Sequence, residues 1–211
     1  DLACLPLYSE QRKEEHPLVI GGGSCCANPA PLSKFFDAFV IGDGEEAIVD
    51  ICEQIKDARL NNESRRQKIE RLSRIPGVYV PVIHDGSKTK IRARHIASLD
   101  IKDAAHPPLV PLVEVTHDRL TVEIARGCTR GCRFCQAVMV YRPRLVRPED
   151  EVVKLAKEGI AKSGWDEVSL LSLSSGDYPD LLGLLQKLNG CFSNSKVAIS
   201  LPSLRLDSFD G

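Results

Sequence analysis

The amino-acid sequence predicts an α/β protein in two parts, and three observations carry that reading. Short apolar runs end in glycine turns, as in Leu18-Val19-Ile20 before Gly21-Gly22-Gly23, and Ala38-Phe39-Val40-Ile41 before Gly42-Asp43-Gly44. Helical periodicity follows such turns, and strand, turn, helix is the grammar of a parallel sheet with crossover helices. The alternation lapses over residues 64–117 and resumes over 118–211. The expected layout is an α/β part at 1–63, a connector at 64–117 and a second α/β part at 118–211.

Each element has its local reason. Residues 1–12 suit the end of a helix, 18–20 a short buried strand, 32–36 one or two helical turns and 38–41 a second strand. Residues 45–60 place Ala47, Ile48, Ile51, Cys52 and Ile55 on one helical face. Glu45 and Glu46 at its start complement the helix dipole. In the connector, Arg65, Arg66, Lys68 and Arg71 mark an exposed helix that stops at Ile75-Pro76-Gly77. A strand over 78–83 follows, restricted in its pairing by Pro81. Asp85-Gly86 signals a turn, and Pro107, Pro108 and Pro111 stiffen the approach to the last part.

Residues 120–125 read as a strand running into Gly127-Cys128. Pro148, with Glu149, Asp150 and Glu151, opens a helix whose core face is Val152, Leu155, Ala156 and Ile160. A strand at 167–173, a Leu-rich helix at 179–188 and a strand at 196–201 complete the pattern. Three strands cannot close a barrel, so this part is a small open sheet or the first portion of a larger one.

Composition sets the outer limits. Of 211 residues, 43% are hydrophobic and 27% charged, a globular balance. A net charge of -1 gives no global pull toward nucleic acid or anionic membrane. No apolar run approaches the ~18 residues of a membrane span. The chain opens on Asp1, its only methionine is Met139, and it lacks a signal-peptide pattern, so it is expected to be an excerpt of a longer protein. The eight cysteines are too sparse for a secreted disulfide scaffold and point to a reducing compartment, the cytoplasm.

Three of the eight form CxxxCxxC: Cys128, Cys132 and Cys135, in a loop between a strand and a helix. Three thiols so placed can face one metal centre, with Gly127 and Gly131 permitting the backbone curvature. Arg126, Arg130 and Arg133 favour the thiolate form that ligation needs. A 4Fe–4S cluster on three cysteines leaves one iron open for catalysis. The alternative is a zinc-stabilised, non-catalytic binding module, which needs a fourth ligand such as His117 or Cys191.

Strand, CxxxCxxC with an aromatic before the third Cys, then alternating α/β: in this the sequence resembles the radical S-adenosylmethionine (radical SAM) enzymes. The resemblance implies that Cys128, Cys132 and Cys135 hold a 4Fe–4S cluster whose open iron chelates S-adenosylmethionine. It implies reductive cleavage to a 5′-deoxyadenosyl radical that takes hydrogen from a substrate. An electron donor such as flavodoxin or ferredoxin is implied as partner. Phe134 matches the aromatic that packs near the cofactor. Ser174-Ser175-Gly176-Asp177 stands where the family carries a glycine motif for the methionine amine, departing from its usual double glycine plus acid. Asp177 is equally readable as a helix cap. Ser203 and Arg205 fall where further cofactor contacts lie. The fold implied for 118–211 is the first half of a partial (β/α) barrel.

The front segment is similar to the C-terminal part of a Rossmann-like, cobalamin-binding-type domain, in an uncharacterised subfamily of fused radical SAM proteins. Its carriers are residues 17–23, 37–46 and 75–81. The cobalamin fingerprint DxHxxG is missing, since His16 lies in Glu14-Glu15-His16-Pro17-Leu18, so cobalamin belongs at most to the parent protein.

Other patterns in the sequence point less sharply to a function. Gly42-Asp43-Gly44-Glu45-Glu46-Ala47 fits a GxGxxA dinucleotide pattern, but its acids crowd the place of a pyrophosphate. Arg126, Arg130, Arg133, Arg142, Arg144 and Arg147 form an acid-free basic run that suits RNA phosphates or, more simply, a solvated face. His84, His95, His106 and His117 share no spacing that suggests a site.

Overall fold

The computed structural model describes residues 3–86, 88–100, 107–205 and 207. The chain divides into two compact units, residues 1–96 and 97–211.

The first unit is built on β1 (Ile20–Gly21), β2 (Ala38–Val40), α1 (Glu45–Leu60), α2 (Arg65–Leu72) and β3 (Val78–Tyr79). The strand order is β1-β2-β3, with β1 parallel and β3 antiparallel to β2. The α1 helix occupies the expected residues, but its face is turned. Ala47, Ile51 and Ala58 are buried, whereas Cys52 is exposed and Ile48 is 55% exposed. The stripe is narrow because the core beneath α1 is already filled by Val40, Leu72, Ile75 and Val78.

The helix expected at the start is a single 3-10 turn, Ser9–Gln11. Side-chain bonds rather than a helical ladder hold this segment. The Arg12 guanidinium donates to the Pro6, Leu7 and Phe35 carbonyls and to Asp37 Oδ2. Arg65, expected on an exposed face, is buried for the same reason: its Nη2 meets Asp37 Oδ2 at 2.8 Å. A buried carboxylate needs counter-charge, and two arginines supply it.

Two further expectations shift. The strand at 78–83 stops after Tyr79, where the Val80 carbonyl accepts from the Ile83 and His84 amides and the chain turns. The expected connector is divided: α2 and β3 pack into the first unit, and no helix or strand occurs among the described residues from 80 to 119. Gly42 is a strand-end turn rather than a phosphate cradle. It bridges to Arg94, and a Cβ there would lie 2.0 Å from the Arg94 carbonyl oxygen.

The second unit contains β4 (Leu120–Glu123), β5 (Ala125–Arg126), α3 (Ala137–Val140), β6 (Leu145–Val146), α4 (Glu149–Ser163), β7 (Glu167–Leu171), α5 (Leu181–Phe192) and β8 (Ala198–Ser200). Strands β4, β7 and β8 are parallel and adjacent in that order, with α4 and α5 as the crossovers. This is a mixed α/β architecture with a parallel sheet, consistent with the start of a partial barrel. Strands β5 and β6 pair antiparallel beside it.

The core joins Leu120, Val122, Val152, Leu155, Ala156, Val168, Leu170, Leu184 and Leu188. Ile160 is only half-buried. Gly159 takes the closest approach to the sheet, where a Cβ would meet Leu120 Cδ2 at 2.5 Å. Gly164 ends α4 in the left-handed conformation. Asp180 caps α5 by accepting from the Gly183 amide at 3.0 Å. Because β4, β7 and β8 are parallel, the loops that leave their carboxyl ends share one edge of the sheet.

Candidate functional site

In open α/β sheets, ligands bind outside the carboxyl ends of the strands. Three segments leave that edge here: residues 127–136 after β5, 172–180 after β7 and 201–205 after β8.

The cysteine loop turns sharply as it leaves β5. Gly127 has φ +82, and a Cβ on it would lie 2.6 Å from the Tyr141 carbonyl oxygen. The loop's backbone is therefore pressed against the returning 141–144 segment. Gly131 (φ +65) allows a second reversal in open space. The Cys135 amide then bonds the Cys132 carbonyl at 2.9 Å. Cys128 and Cys132 are half-buried, Cys135 is exposed, and all eight cysteines are free thiols. The Arg130 amide lies 3.5 Å from Cys128 Sγ. Phe134 is 93% exposed.

Among the described residues, no three His, Cys, Asp or Glu side chains converge where they could hold one metal ion. Zinc needs four ligands about one point at roughly 2.0–2.3 Å. Neither His117 nor Cys191 completes such a set with the loop. A polynuclear iron–sulfur cluster is held differently, by soft thiolates each on its own iron. Three free thiols on one open loop fit that donor set.

The post-β7 turn faces the cysteine loop. Asp177 is gripped by Arg130, whose Nε donates to Oδ2 at 2.8 Å and whose Nη2 donates to Oδ1. Arg144 Nη2 donates to the Asp177 carbonyl at 2.7 Å. Hydrogen bonding from Arg130 lowers the Asp177 pKa to about 2 and raises that of Arg130. Ser175 is fully buried, with its hydroxyl 2.8 Å from that of Ser172 and its amide bonded to the Ser203 carbonyl at 2.8 Å. Ser174 is 7% exposed; its hydroxyl helps to lower the Asp177 pKa but makes no hydrogen bond of normal geometry. Gly176 is half-buried inside this 3-10 turn. Arg205 pairs with Asp207 through Nε at 2.8 Å, an interaction that raises its pKa.

The structure thus ties Asp177 to the cysteine loop and Ser203 to the post-β7 turn. The basic run is largely engaged. Arg126 pairs with Glu123, Arg130 and Arg144 hold Asp177, and Arg147 is buried, with Nε on the Glu123 carbonyl and Nη1 on that of Leu99. Arg133 and Arg142 are exposed. The roles of Arg144 and Ser172 escaped the sequence reading, because long-range pairing leaves no local periodic signal. Of the histidines, His84 Nδ1 accepts from the Val80 amide, His95 lies 3.6 Å from Asp43, His117 is exposed, and His106 lies outside the described residues.

Fold and loop together define an α/β chain with a tri-thiol loop at the carboxyl edge of a parallel sheet. Residues 1–81 match the family described as Radical SAM proteins, N-terminal, and residues 122–210 match the Radical SAM superfamily. The chain belongs to the radical SAM superfamily. An uncharacterised protein of Methanocaldococcus jannaschii is 29% identical over 211 residues, covering 98% of this chain and 42% of the relative. The chain therefore spans less than half the length of that curated relative.

Proposed function

We propose that this chain is the cluster-bearing part of a radical SAM enzyme, with Cys128, Cys132 and Cys135 as ligands of a 4Fe–4S cluster. The supporting observation is the placement of three free thiols on one loop at the carboxyl edge of the parallel β4-β7-β8 sheet. When bound, such a cluster supplies one-electron reductive cleavage of S-adenosylmethionine, giving a 5′-deoxyadenosyl radical for hydrogen abstraction from the substrate. The chain's own residues have simpler tasks. Gly127 and Gly131 shape the loop that carries the three thiols.

Ser174, Ser175 and Gly176 of the post-β7 turn, with Ser203, Arg205 and Phe134, are the surface we assign to S-adenosylmethionine. Phe134 offers a solvent-exposed ring that a nucleoside can cover. A one-electron donor of the flavodoxin or ferredoxin kind is the required protein partner. No helix among the described residues is long and apolar enough to cross a membrane.

For residues 1–63, parallel β1 and β2 with α1 after β2 suit the end of a Rossmann-like domain. Antiparallel β3 departs from that pattern. Without DxHxxG, cobalamin has no part in the function proposed for this chain.

Anaerobic reconstitution of the intact protein with iron and sulfide tests the reading. The expected product has a broad visible absorption that is lost when Cys128, Cys132 and Cys135 are replaced by Ala. A colourless protein carrying stoichiometric zinc after oxygen-free purification refutes it.

A further inference from the structure

Both oxygens of the Asp177 carboxylate already accept from one guanidinium. It belongs to Arg130, between the first two cysteines, which reaches 47 positions along the chain. Arg144 takes the backbone carbonyl of the same residue. The post-β8 segment joins the arrangement through the Ser175 amide and the Ser203 carbonyl. Three loops that share no regular secondary structure are thereby linked at one edge of the sheet.

The cysteine loop needs such a link. It leaves β5 through a left-handed glycine, reverses again at Gly131, and exposes Thr129, Arg130, Arg133, Phe134 and Cys135 to solvent. Little burial holds it in place, and loops of that kind open at low free-energy cost. A planar guanidinium on a carboxylate fixes both distance and orientation, which a lone lysine contact does not. The Asp177 side chain is only 15% exposed, so the acceptor end of the pair is anchored while the donor end travels with the loop.

We propose that Asp177 is a positioning residue for the cysteine loop, acting through Arg130, and is not the contact for the amine of the bound cofactor. The proposal rests on the cluster reading above and adds to it the residue that holds the loop. With both oxygens on one guanidinium, the carboxylate's charge is already matched by Arg130, and it offers an ammonium group far less than an unpaired acid would. The clasp is made by this chain's own side chains and needs no metal to form.

The intact protein provides the test, with Asp177→Asn, Arg130→Gln and the double variant. In metal-free protein, each single change should make the loop thiols alkylate about threefold faster, the scale expected for a well-oriented but exposed ion pair. After reconstitution, iron should leave to a chelator faster by a similar factor. The double variant should be no worse than either single one, because both remove the same contact. S-adenosylmethionine affinity per loaded cluster should stay within about twofold in Asp177→Asn.

Unchanged alkylation and chelator loss in the single variants overturn the proposal. So do additive losses in the double variant, or a tenfold weaker S-adenosylmethionine affinity with normal cluster retention. A wild-type protein that takes up no iron and sulfide sinks the cluster reading instead. The alkylation measurement on metal-free protein then still decides whether the clasp exists.

Discussion

Replacing Gly127 with Ala should separate the two costs that hold the cysteine loop in shape. At φ +82 an L-residue meets its own carbonyl oxygen, a penalty of about 1–2 kcal/mol. The new Cβ also lies 2.6 Å from the Tyr141 oxygen, 2.9 Å from the Pro143 oxygen and 3.0 Å from Arg144 Cα. All three are backbone atoms, so relief requires the 141–144 segment to move. Overpacking of that kind costs about 1–3 kcal/mol. The sum is about 2–5 kcal/mol, a large fraction of the 5–15 kcal/mol that stabilises a typical domain. Gly131→Ala is the internal control: φ is +65, but nothing lies within 4 Å of the new Cβ, so only the first cost of about 1–2 kcal/mol applies. Urea unfolding followed by Trp165 reads the second unit specifically, because Trp165 is the chain's one tryptophan and packs on that core. Equal costs for the two variants, or a cost below about 1 kcal/mol for Gly127→Ala, would show that the tight approach to 141–144 is wrong.

Asp37→Ala should destabilise the first unit by about 3–5 kcal/mol, since it leaves Arg12 and Arg65 buried without their anion; far-UV circular dichroism in urea reads this. The Asp177 carboxyl, held at about 2 against an ordinary 3.8, contributes stability that is present above pH 3.8 and lost as pH falls toward 2. The stability difference between wild type and Arg130→Gln should accordingly be constant near neutral pH and close over that acid window; a difference that persists at pH 2 contradicts the pairing. Cys25→Ala, Cys52→Ala and Cys191→Ala, all at exposed thiols, should leave the reconstituted visible absorption intact, whereas Cys128→Ala, Cys132→Ala or Cys135→Ala should remove it.

The parts legible in the sequence are those with local causes. The α1 and α4 helices lie where periodicity and acidic first turns put them. The β4, β7 and β8 strands fall inside their expected apolar runs. The CxxxCxxC loop stands where a strand-to-loop junction was expected, because glycine and cysteine spacing is local too. What escaped was set by partners far along the chain. Arg65 looks like a solvated helix residue until Asp37, 28 positions away, is buried beneath it. Asp177 reads as a free acid or a cap until Arg130 closes on it. Ile48 and Cys52 lie on the expected apolar face, yet other side chains had filled the space they would occupy. One missed signal was local: Ser64 and Gln67 form a capping box that marks the start of α2.

The same distinction governs the basic run. Counted along the sequence, six arginines without an intervening acid suggest a phosphate-binding strip. In the fold, Glu123 and Asp177 neutralise Arg126 and Arg130 from outside the run, Arg144 is spent on a backbone carbonyl, and Arg147 is buried among carbonyls. Only Arg133 and Arg142 of the six remain as exposed candidates among the described residues. Salt dependence turns that difference into a measurement. Six phosphate contacts give a slope of log K against log salt of about −4 on a single strand and two give about −1.4, from roughly −0.7 per contact. If the intact protein binds RNA through this run, a slope near the smaller value agrees with the paired arrangement. A slope near the larger one requires the Arg130–Asp177 and Arg126–Glu123 pairs to open on binding, and Asp177→Asn should then strengthen the complex rather than leave it unchanged.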